Sequence, residues 1–207
     1  MILLAGRLTS WKGQRVLIDA FAELQRSGRL DSDEGHGRSV VVLAGDHQGR
    51  DTYRDGLIEQ IEAAGLSDRI LLVGHEADMP AAFGAAHTAV VASSEPEAFG
   101  RTAVEAQAMG CPVIATRHGA PPETVIAPPV STLETQTGWL VKPGDAGDLA
   151  AHLEAALALA GDARALIGHN ARANVRANFT SSAMKAQTLR VYNEELAMLP
   201  EEAEIRR

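Results

Sequence analysis

The sequence predicts a doubly wound α/β domain, in which helices cover both faces of one parallel β-sheet. Short apolar runs recur along the 207 residues, and segments with helical spacing of apolar residues separate them. The runs are apolar at successive positions, as expected of strands that are buried on both faces. Repeated strand and helix units with such connections favour a parallel sheet in which ligands bind beyond the carboxyl ends of the strands.

Three strand and helix units make up the first half of the chain. Strands are predicted at residues 1–5, 40–44 and 70–73. Helices are predicted at residues 16–24, 57–64 and 78–86. Gly65 closes the second helix and Gly74 ends the third strand, so the alternation is already established at this point of the chain.

The second half continues the alternation and ends in helices. Strands are predicted at residues 88–92, 112–116 and 138–141, with a helix at 101–109. Pro112 is permitted at the start of a strand, because no ladder donor is needed there. The stretch after Gly144 is largely helical, and its last predicted helix covers about residues 180–199. We therefore expect one domain, residues 1–207.

Composition narrows the class of partner. The chain has 19 Lys and Arg against 27 Asp and Glu, a net charge of -8, with 45% hydrophobic residues and a mean hydropathy of -0.07. These values are typical of an ordinary globular protein. A negative overall field does not attract nucleic acid, so no nucleic-acid partner is expected. Any anion must instead meet a local cluster of positive groups.

Cysteine use and the absence of long apolar runs predict a cytoplasmic protein. Cys111 is the single cysteine, which excludes an intrachain disulfide and a cysteine-rich metal site. No stretch reaches the roughly 18 to 20 apolar residues of a membrane span, and residues 1–5 lack the features of a signal peptide.

The loop after the first strand carries two cations. Arg7 and Lys12 lie in residues 6–13, directly before a predicted helix start. Arginine offers a planar fork for phosphate oxygens, lysine offers a compact charge, and a helix N-terminus adds unpaired amides. The loop is therefore suited to a diphosphate; the alternative is an exposed basic loop.

Two glutamates flank the predicted start of the helix after the fourth strand. Glu97 and Glu105 have seven residues between them, and a helix that begins near Gly100 places Glu105 about one and a half turns inside it. Both carboxylates then face one crevice, where they can accept hydrogen bonds from sugar hydroxyls. The alternative is that they are solvent-exposed charges at a helix start.

Together these segments resemble family 4 of the retaining glycosyltransferases, over nearly the whole chain. The resemblance rests on residues 6–13, on Glu97 and Glu105, and on residues 119–123 and 138–145. It implies the C-terminal, donor-binding half of a two-domain enzyme of the glycosyltransferase B architecture, with a Rossmann-like sheet. Such an enzyme transfers a hexosyl group from a nucleoside-diphosphate sugar to a glycan or glycolipid acceptor, for example in polysaccharide or lipopolysaccharide biosynthesis.

The resemblance also implies roles for individual residues. Arg7 and Lys12 hold the diphosphate, Glu97 contacts the donor sugar, and these three are the implied catalytic residues. Glu105 accepts the ribose hydroxyls, and the base lies near His75. The complete implied binding set is Gly6, Arg7, Lys12, His75, Glu97, Phe99, Gly100, Arg101, Thr102 and Glu105. At Arg101 the chain departs from the family pattern, in which an aliphatic residue is common.

No cofactor and no metal are expected beside the donor, because Arg7 and Lys12 replace the metal ion of other glycosyltransferase folds. Asp31 and Asp33 have the spacing of an aspartate pair that binds metal, but they are predicted to lie in a polar turn away from the cleft. The acceptor is expected on an N-terminal domain that this chain lacks, so transfer by this chain alone is expected to be inefficient. The intact enzyme is expected at the inner membrane surface.

Two alternatives remain open at this stage. The first is a non-catalytic assembly module with a vestigial nucleotide cleft, which self-associates through apolar residues of the terminal helix. These residues are Met184, Leu189, Val191, Tyr192, Leu196, Met198 and Leu199. Exposed apolar patches usually find partners, although the same residues can pack on the domain's own core. The second alternative is half of a nucleotide-sugar epimerase or of a phosphorylase of the same architecture.

Overall fold

In the computed structural model, which describes residues 1–30 and 39–198, six parallel strands form one sheet. The strands are β1 Ile2–Ala5, β2 Val41–Ala44, β3 Ile70–Gly74, β4 Thr88–Val91, β5 Val113–Thr116 and β6 Gly138–Val141. The prediction of a doubly wound parallel sheet is therefore confirmed. Asp31 and Asp33, as well as Leu199, lie outside the described residues.

Eight α-helices accompany these strands within the described ranges. They are α1 Gln14–Arg26, α2 Asp51–Ala63, α3 Met79–Ala85, α4 Arg101–Ala108, α5 Pro121–Thr124, α6 Ala146–Leu157, α7 Gly161–Asn178 and α8 Ser181–Met198. Helix α2 begins at Asp51, ahead of the apolar residues that predicted it. The sequence did not predict the one-turn helix α5 or a 3-10 turn at Ser10–Lys12, since neither is long enough to show an apolar period.

The order of the strands places a crevice between β1 and β4. The sheet runs β3-β2-β1-β4-β5-β6, so the chain builds outward in one direction from β1 and then returns to build in the other. In such sheets the loops that leave the two central strands diverge to opposite faces and leave a crevice at the carboxyl edge. Here those loops are the segments after Ala5 and after Val91, which carry the predicted site.

Both faces of the sheet are buried. Ile2 and Leu4 of β1 pack in the cluster formed with α1, α2 and α6, whereas Leu3 packs in the cluster formed with α3 and α4. Cys111 lies in the second cluster with 1% of its surface exposed, and burial raises the pKa of its thiol to about 12. This cysteine is therefore a protonated core residue.

Helix α8 is exposed along its length. The exposed fractions of Met184, Leu189, Val191, Tyr192 and Leu196 lie between 50% and 64%. The alternative, that these residues pack on the domain's own core, is therefore wrong for the described part of the helix. No helix among the described residues is long and apolar enough to cross a membrane.

Gly13 allows α1 to begin against the end of β4. Its φ of +76° is in the left-handed region, and a Cβ at this position would lie 1.9 Å from the carbonyl oxygen of Ala92. A side chain is therefore excluded both by the backbone conformation and by the contact. The close approach fixes the loop after β1 next to the loop after β4.

We expect Gly13→Ala to lower the free energy of unfolding more than Gly28→Ala. Gly28 has a φ of +71° with no atom of the described residues within 4 Å of a built Cβ, so that variant is expected to have the backbone cost of about 1–2 kcal/mol. Gly13→Ala has the same cost plus the overlap with Ala92. Urea denaturation of both variants measures the difference, and equal losses would contradict the proposed contact.

Candidate functional site

A cavity of about 510 Å³ opens at the carboxyl ends of β1, β2 and β3. Half of the predicted binding residues line it, although they come from three distant parts of the sequence. They are Gly6, Arg7, His75, Thr102 and Glu105. Arg7 and Glu105 thus meet at one cavity, whereas Glu97, which was expected to face the same crevice as Glu105, does not line it.

Backbone hydrogen bonds hold the Arg7 loop in place. The amide of Gly6 donates to the carbonyl of Ala44 at 2.9 Å, and the amide of Leu8 donates to that of Asp46 at 3.0 Å. These bonds continue the pairing of β1 with β2 past the last strand residues. In addition, Nε2 of the buried Gln14 donates to the carbonyl of Arg7 at 2.9 Å. The backbone of Arg7 is consequently fixed while its side chain stays exposed at the cavity.

The first turn of α4 supplies backbone donors beside Arg7. Gly100 precedes the helix with a φ of 71°, and its carbonyl accepts the first intrahelical bond, from Ala103. The amides of Arg101 and Thr102 consequently have no acceptor within the helix. Since Thr102 lines the cavity, the positive end of the helix dipole adds to the charge of Arg7.

Glu105 forms an ion pair with Arg101. Nη2 of Arg101 lies 2.9 Å from Oε1 of Glu105, and the exposed fractions of the two side chains are 81% and 46%. A pair of this kind on a helix surface contributes about 0.3–0.5 kcal/mol. The departure from the family pattern at Arg101 thus places a guanidinium on the glutamate, where a ligand can displace it at little cost.

Lys12 and Glu97 form an ion pair that joins the loop after β1 to the loop after β4. Their side chains are 17% and 13% exposed, and Lys12 Nζ donates to Glu97 Oε1. The same carboxylate oxygen accepts a hydrogen bond from the Ser93 hydroxyl at 2.6 Å. The sequence predicted separate ligand contacts for the two side chains and did not predict that they neutralise each other.

Gly119 fixes the backbone of Glu97. The two residues form a parallel bridge, and the amide of Ala120 donates to the carbonyl of Glu97 at 2.9 Å. Gly119 has a φ of +74°, and a Cβ there would lie 2.4 Å from that carbonyl oxygen. Glycine is therefore required at residue 119, which gives a physical reason for one of the segments that carried the resemblance.

The remaining predicted residues do not line the cavity. These residues are Lys12, Glu97, Phe99, Gly100 and Arg101. The ring of Phe99 is 47% exposed and packs edge to face on Phe179, with centroids 6.2 Å apart. Gly100 acts through its backbone at the start of α4, and Arg101 extends toward solvent as described.

Sequence reasoning missed several residues of the cavity wall. Asp46 and Gln48 follow β2, Glu76 follows β3, and Met79 and Phe83 belong to α3. Asp46 and Glu76 lie at strand ends, where the general rule for parallel sheets predicts ligand-facing residues. Met79 and Phe83 add an apolar surface.

No metal cluster is found in the part of the chain that the structure describes. Within residues 1–30 and 39–198 no three His, Cys, Asp or Glu side chains are placed to hold an ion. The expectation of a metal-free reaction stays a prediction.

A family model and the sequence of a known protein match most of this chain. The model of the family "Glycosyl transferases group 1" matches residues 1–174. The D-inositol 3-phosphate glycosyltransferase of Corynebacterium glutamicum is 32% identical over 202 residues, which are 95% of this chain and 44% of that protein. The chain therefore spans less than half the length of this relative.

Two solved structures share the fold. Anabaena Alr3699/HepE, crystallised in complex with UDP and glucose, matches with a TM-score of 0.78 and 29% identity, over 93% of this chain and 48% of that one. The C-terminal domain of a glycosyl transferase group 1 family protein (LpcC) from Francisella tularensis matches with a TM-score of 0.71 and 27% identity, over 87% and 86% of the two chains. The Rossmann-like fold of this chain is thus shared with both structures.

A double-mutant cycle on Lys12→Met and Glu97→Gln is expected to show a coupling free energy of about 1–3 kcal/mol, because both side chains are largely buried. The control cycle on Arg101→Gln and Glu105→Gln, an exposed pair, is expected to give less than about 0.5 kcal/mol. Chemical denaturation of the single and double variants supplies both values. Similar coupling free energies in the two cycles would show that the largely buried pair of Lys12 and Glu97 contributes no more than a surface contact.

Proposed function

The chain belongs to the glycosyl transferases group 1 family, and we propose that it is the donor-binding domain of a retaining glycosyltransferase. The observation that carries the proposal is the meeting of Arg7, Thr102 and Glu105 at one cavity of about 510 Å³. This arrangement offers a cation, free amides and a carboxylate within one site, as a nucleoside-diphosphate sugar requires. The acceptor under this proposal is a glycan or glycolipid.

Arg7 is the principal diphosphate ligand in this proposal. Within the described residues its guanidinium has no carboxylate partner, whereas Lys12 already has one in Glu97. Lys12 retains two further N–H donors after its bond to Glu97, so it contributes hydrogen bonds with less net charge. The amides at the start of α4 complete the set of donors around the phosphate oxygens.

Glu105 receives the ribose in this proposal. Its carboxylate accepts hydrogen bonds from two neighbouring hydroxyl groups after Arg101 is displaced, and the displaced pair is weak. The released guanidinium is then free to turn toward a phosphate oxygen, although Arg101 does not itself line the cavity. The apolar surface of Met79 and Phe83 and the loop at His75 are then the wall available to the base.

The chemistry proposed for the intact enzyme is glycosyl transfer with retained configuration. As the bond between the anomeric carbon and the diphosphate breaks, negative charge develops on the leaving oxygen. Arg7, the α4 amides and Lys12 stabilise that charge, while Glu97 orients Lys12 and contacts the donor sugar. An acceptor held against the anomeric carbon completes the reaction and lies outside the residues that line this cavity.

The relatives support this class of reaction. HepE was crystallised with UDP and glucose, and the Corynebacterium relative is a glycosyltransferase, so the comparisons favour a transferase over a nucleotide-sugar epimerase or a phosphorylase. Since the chain covers less than half of that relative, we propose that it binds the donor by itself and transfers inefficiently.

Titration calorimetry with UDP, GDP and ADP tests the donor site. One of the nucleotides is expected to bind saturably, and Arg7→Ala is expected to weaken its binding about tenfold or more through loss of charge-assisted hydrogen bonds. Glu105→Ala is expected to abolish the preference for that nucleotide over its 2′,3′-dideoxy analogue. Arg176→Ala, which removes an exposed arginine of α7, is the matched control.

The result that would overturn the donor site is a folded chain that binds none of the three nucleotides. A preference for the ribose hydroxyls that survives in Glu105→Ala would instead reject the role of that residue alone.

A second candidate function is assembly through α8. The observation that favours it is the exposure of Leu189, Tyr192 and Leu196, which lie at helical spacing on one face of α8. Exposed apolar residues grouped in this way are common at interfaces. This candidate and the donor site are compatible, since α8 contributes nothing to the cavity lining.

Light scattering distinguishes a self-associated protein from a monomer. Assembly predicts a mass above 21.9 kDa that falls to this value in the double variant Leu189→Ser, Leu196→Ser. Gln187→Ser, at an exposed polar position of the same helix, is the matched control. A mass of one chain at every concentration would reject self-association through α8.

A further inference from the structure

A second cavity, of about 530 Å³, lies on the other side of Arg7. Its walls come from the loop after β1 and from the first turns of α1 and α2. Tyr53 of this wall packs with the α1 and α2 cluster, whereas Phe83 of the donor cavity packs in the cluster on the opposite face of the sheet. Arg7 is the residue common to the two cavities.

Three arginines line this cavity, and none of its lining residues is acidic. Arg15 Nη1 donates to Gln60 Oε1 at 3.1 Å, and Arg50 Nη1 donates to the carbonyl of His47 at 3.3 Å. Neither arginine, nor Arg7, has a carboxylate partner within the described residues. Arg54 of helix α2, by contrast, lies outside the cavity and does have carboxylate partners. It pairs with Asp51 at 3.0 Å and with Asp55 at 2.8 Å.

The exposed side chain of Arg15 lies against helix α2. Its guanidinium lies over the ring of Tyr53, with the central carbon 5.5 Å from the centroid. A Cβ on Gly56, in the interior of α2, would lie 2.6 Å from Arg15 Nη2. Glycine at such a position costs a helix about 1 kcal/mol relative to alanine. The helix therefore carries a weak helix former where the guanidinium needs room.

Thr9 gives an independent indication of a ligand. Thr9 is 6% exposed and lines the cavity, and its hydroxyl has no hydrogen-bond partner within the described residues. A buried hydroxyl without a partner loses its hydration without replacement, at a cost of about 1–3 kcal/mol. A phosphate oxygen would accept its hydrogen bond once a rotation of the side chain turned the hydroxyl toward the cavity.

A hydrogen-bond chain connects the second cavity to the backbone of Arg7. The Tyr53 hydroxyl donates to Gln14 Oε1 at 3.1 Å, and Gln14 Nε2 donates to the carbonyl of Arg7 at 2.9 Å. Burial raises the pKa of Tyr53, so its hydroxyl remains a donor at neutral pH. The wall of the second cavity and the donor-site loop are thus parts of one buried network.

We propose that this cavity is a second anion site, which takes a phosphate group carried by a small ligand. Arg7, Arg15, Arg50 and Thr9 line it, and a phosphate monoester with about two negative charges matches that set. The coupling part of the inference rests on the proposed donor function: an anion bound here draws on Arg7 and so weakens binding of the nucleoside diphosphate.

Phosphate binding is measured first without nucleotide, by titration calorimetry at constant ionic strength. Inorganic phosphate and glucose 6-phosphate are the probes, and the tighter of the two shows whether the ligand is free phosphate or a phosphorylated sugar. Arg15→Gln and Arg50→Gln are each expected to weaken binding about tenfold, and Arg54→Gln, the matched control, is expected to bind as the unaltered chain does. Thermal melting shows that each variant is folded.

Coupling is measured next, as the dissociation constant of the nucleotide at rising phosphate concentration. If the two sites share Arg7, the dissociation constant of the nucleotide is expected to rise about fivefold or more. It reaches a plateau once phosphate is near saturation of the second site. In Arg50→Gln the phosphate concentration needed to reach the plateau is expected to increase.

Two results would overturn the second site. One is no saturable phosphate binding by the folded, unaltered chain. The other is a nucleotide dissociation constant that rises with phosphate concentration without a plateau, and equally in Arg50→Gln and Arg54→Gln. That result would show simple competition at the diphosphate site. Arginine-dependent phosphate binding by a chain that binds no nucleotide would support the second site while rejecting the proposed donor function.

Discussion

The geometry of the site depends on the ion pair between Lys12 and Glu97. These two residues belong to the loops that leave β1 and β4, the strands between which the sheet reverses its order. Two backbone contacts reinforce the pair: the amide of Ser94 donates to the carbonyl of Trp11 at 2.8 Å, and Gly13 lies against Ala92. Because the loops are held together, Arg7 on one side and the start of α4 on the other face the same cavity.

The same ion pair decides how charge is distributed. Lys12 is neutralised by Glu97, and Glu105 is paired with Arg101, so Arg7 is left as the unpaired cation of the donor cavity in the described chain. Asp46 and Glu76 also line this cavity, so its positive charge is confined to Arg7 and the α4 amides rather than spread over a broad surface. In a chain with a net charge of -8, such local focus is what allows selective attraction of a diphosphate.

The sequence was sufficient for the sheet and for five of the thirteen residues that line the cavity, for physical reasons. Strands buried on both faces are continuous apolar runs, and the parallel-sheet rule places their carboxyl ends at one edge, which located Arg7 and Glu105. The Lys12 and Glu97 pair could not be predicted, since the residues are 85 positions apart and the spacing rules concern one element at a time. Arg15 and Arg50 have the appearance of ordinary surface charges in the sequence, and only the packing of α1 against α2 brings them to one cavity.

Unpaired arginines around one cavity have an electrostatic cost for the folded chain. Like charges around one cavity repel each other, and the exposed Arg54 shows that α2 has acidic residues available to neutralise a neighbouring cation. Yet within the described residues Arg7, Arg15 and Arg50 have no such partners, on both sides of one backbone loop. Under the proposed function, an anion in either cavity relieves this repulsion, and two anions compete for the charge of Arg7. Occupancy of one cavity then alters the affinity of the other through the loop after β1. No movement of the sheet is needed, because the two cavities share the positive charge of Arg7.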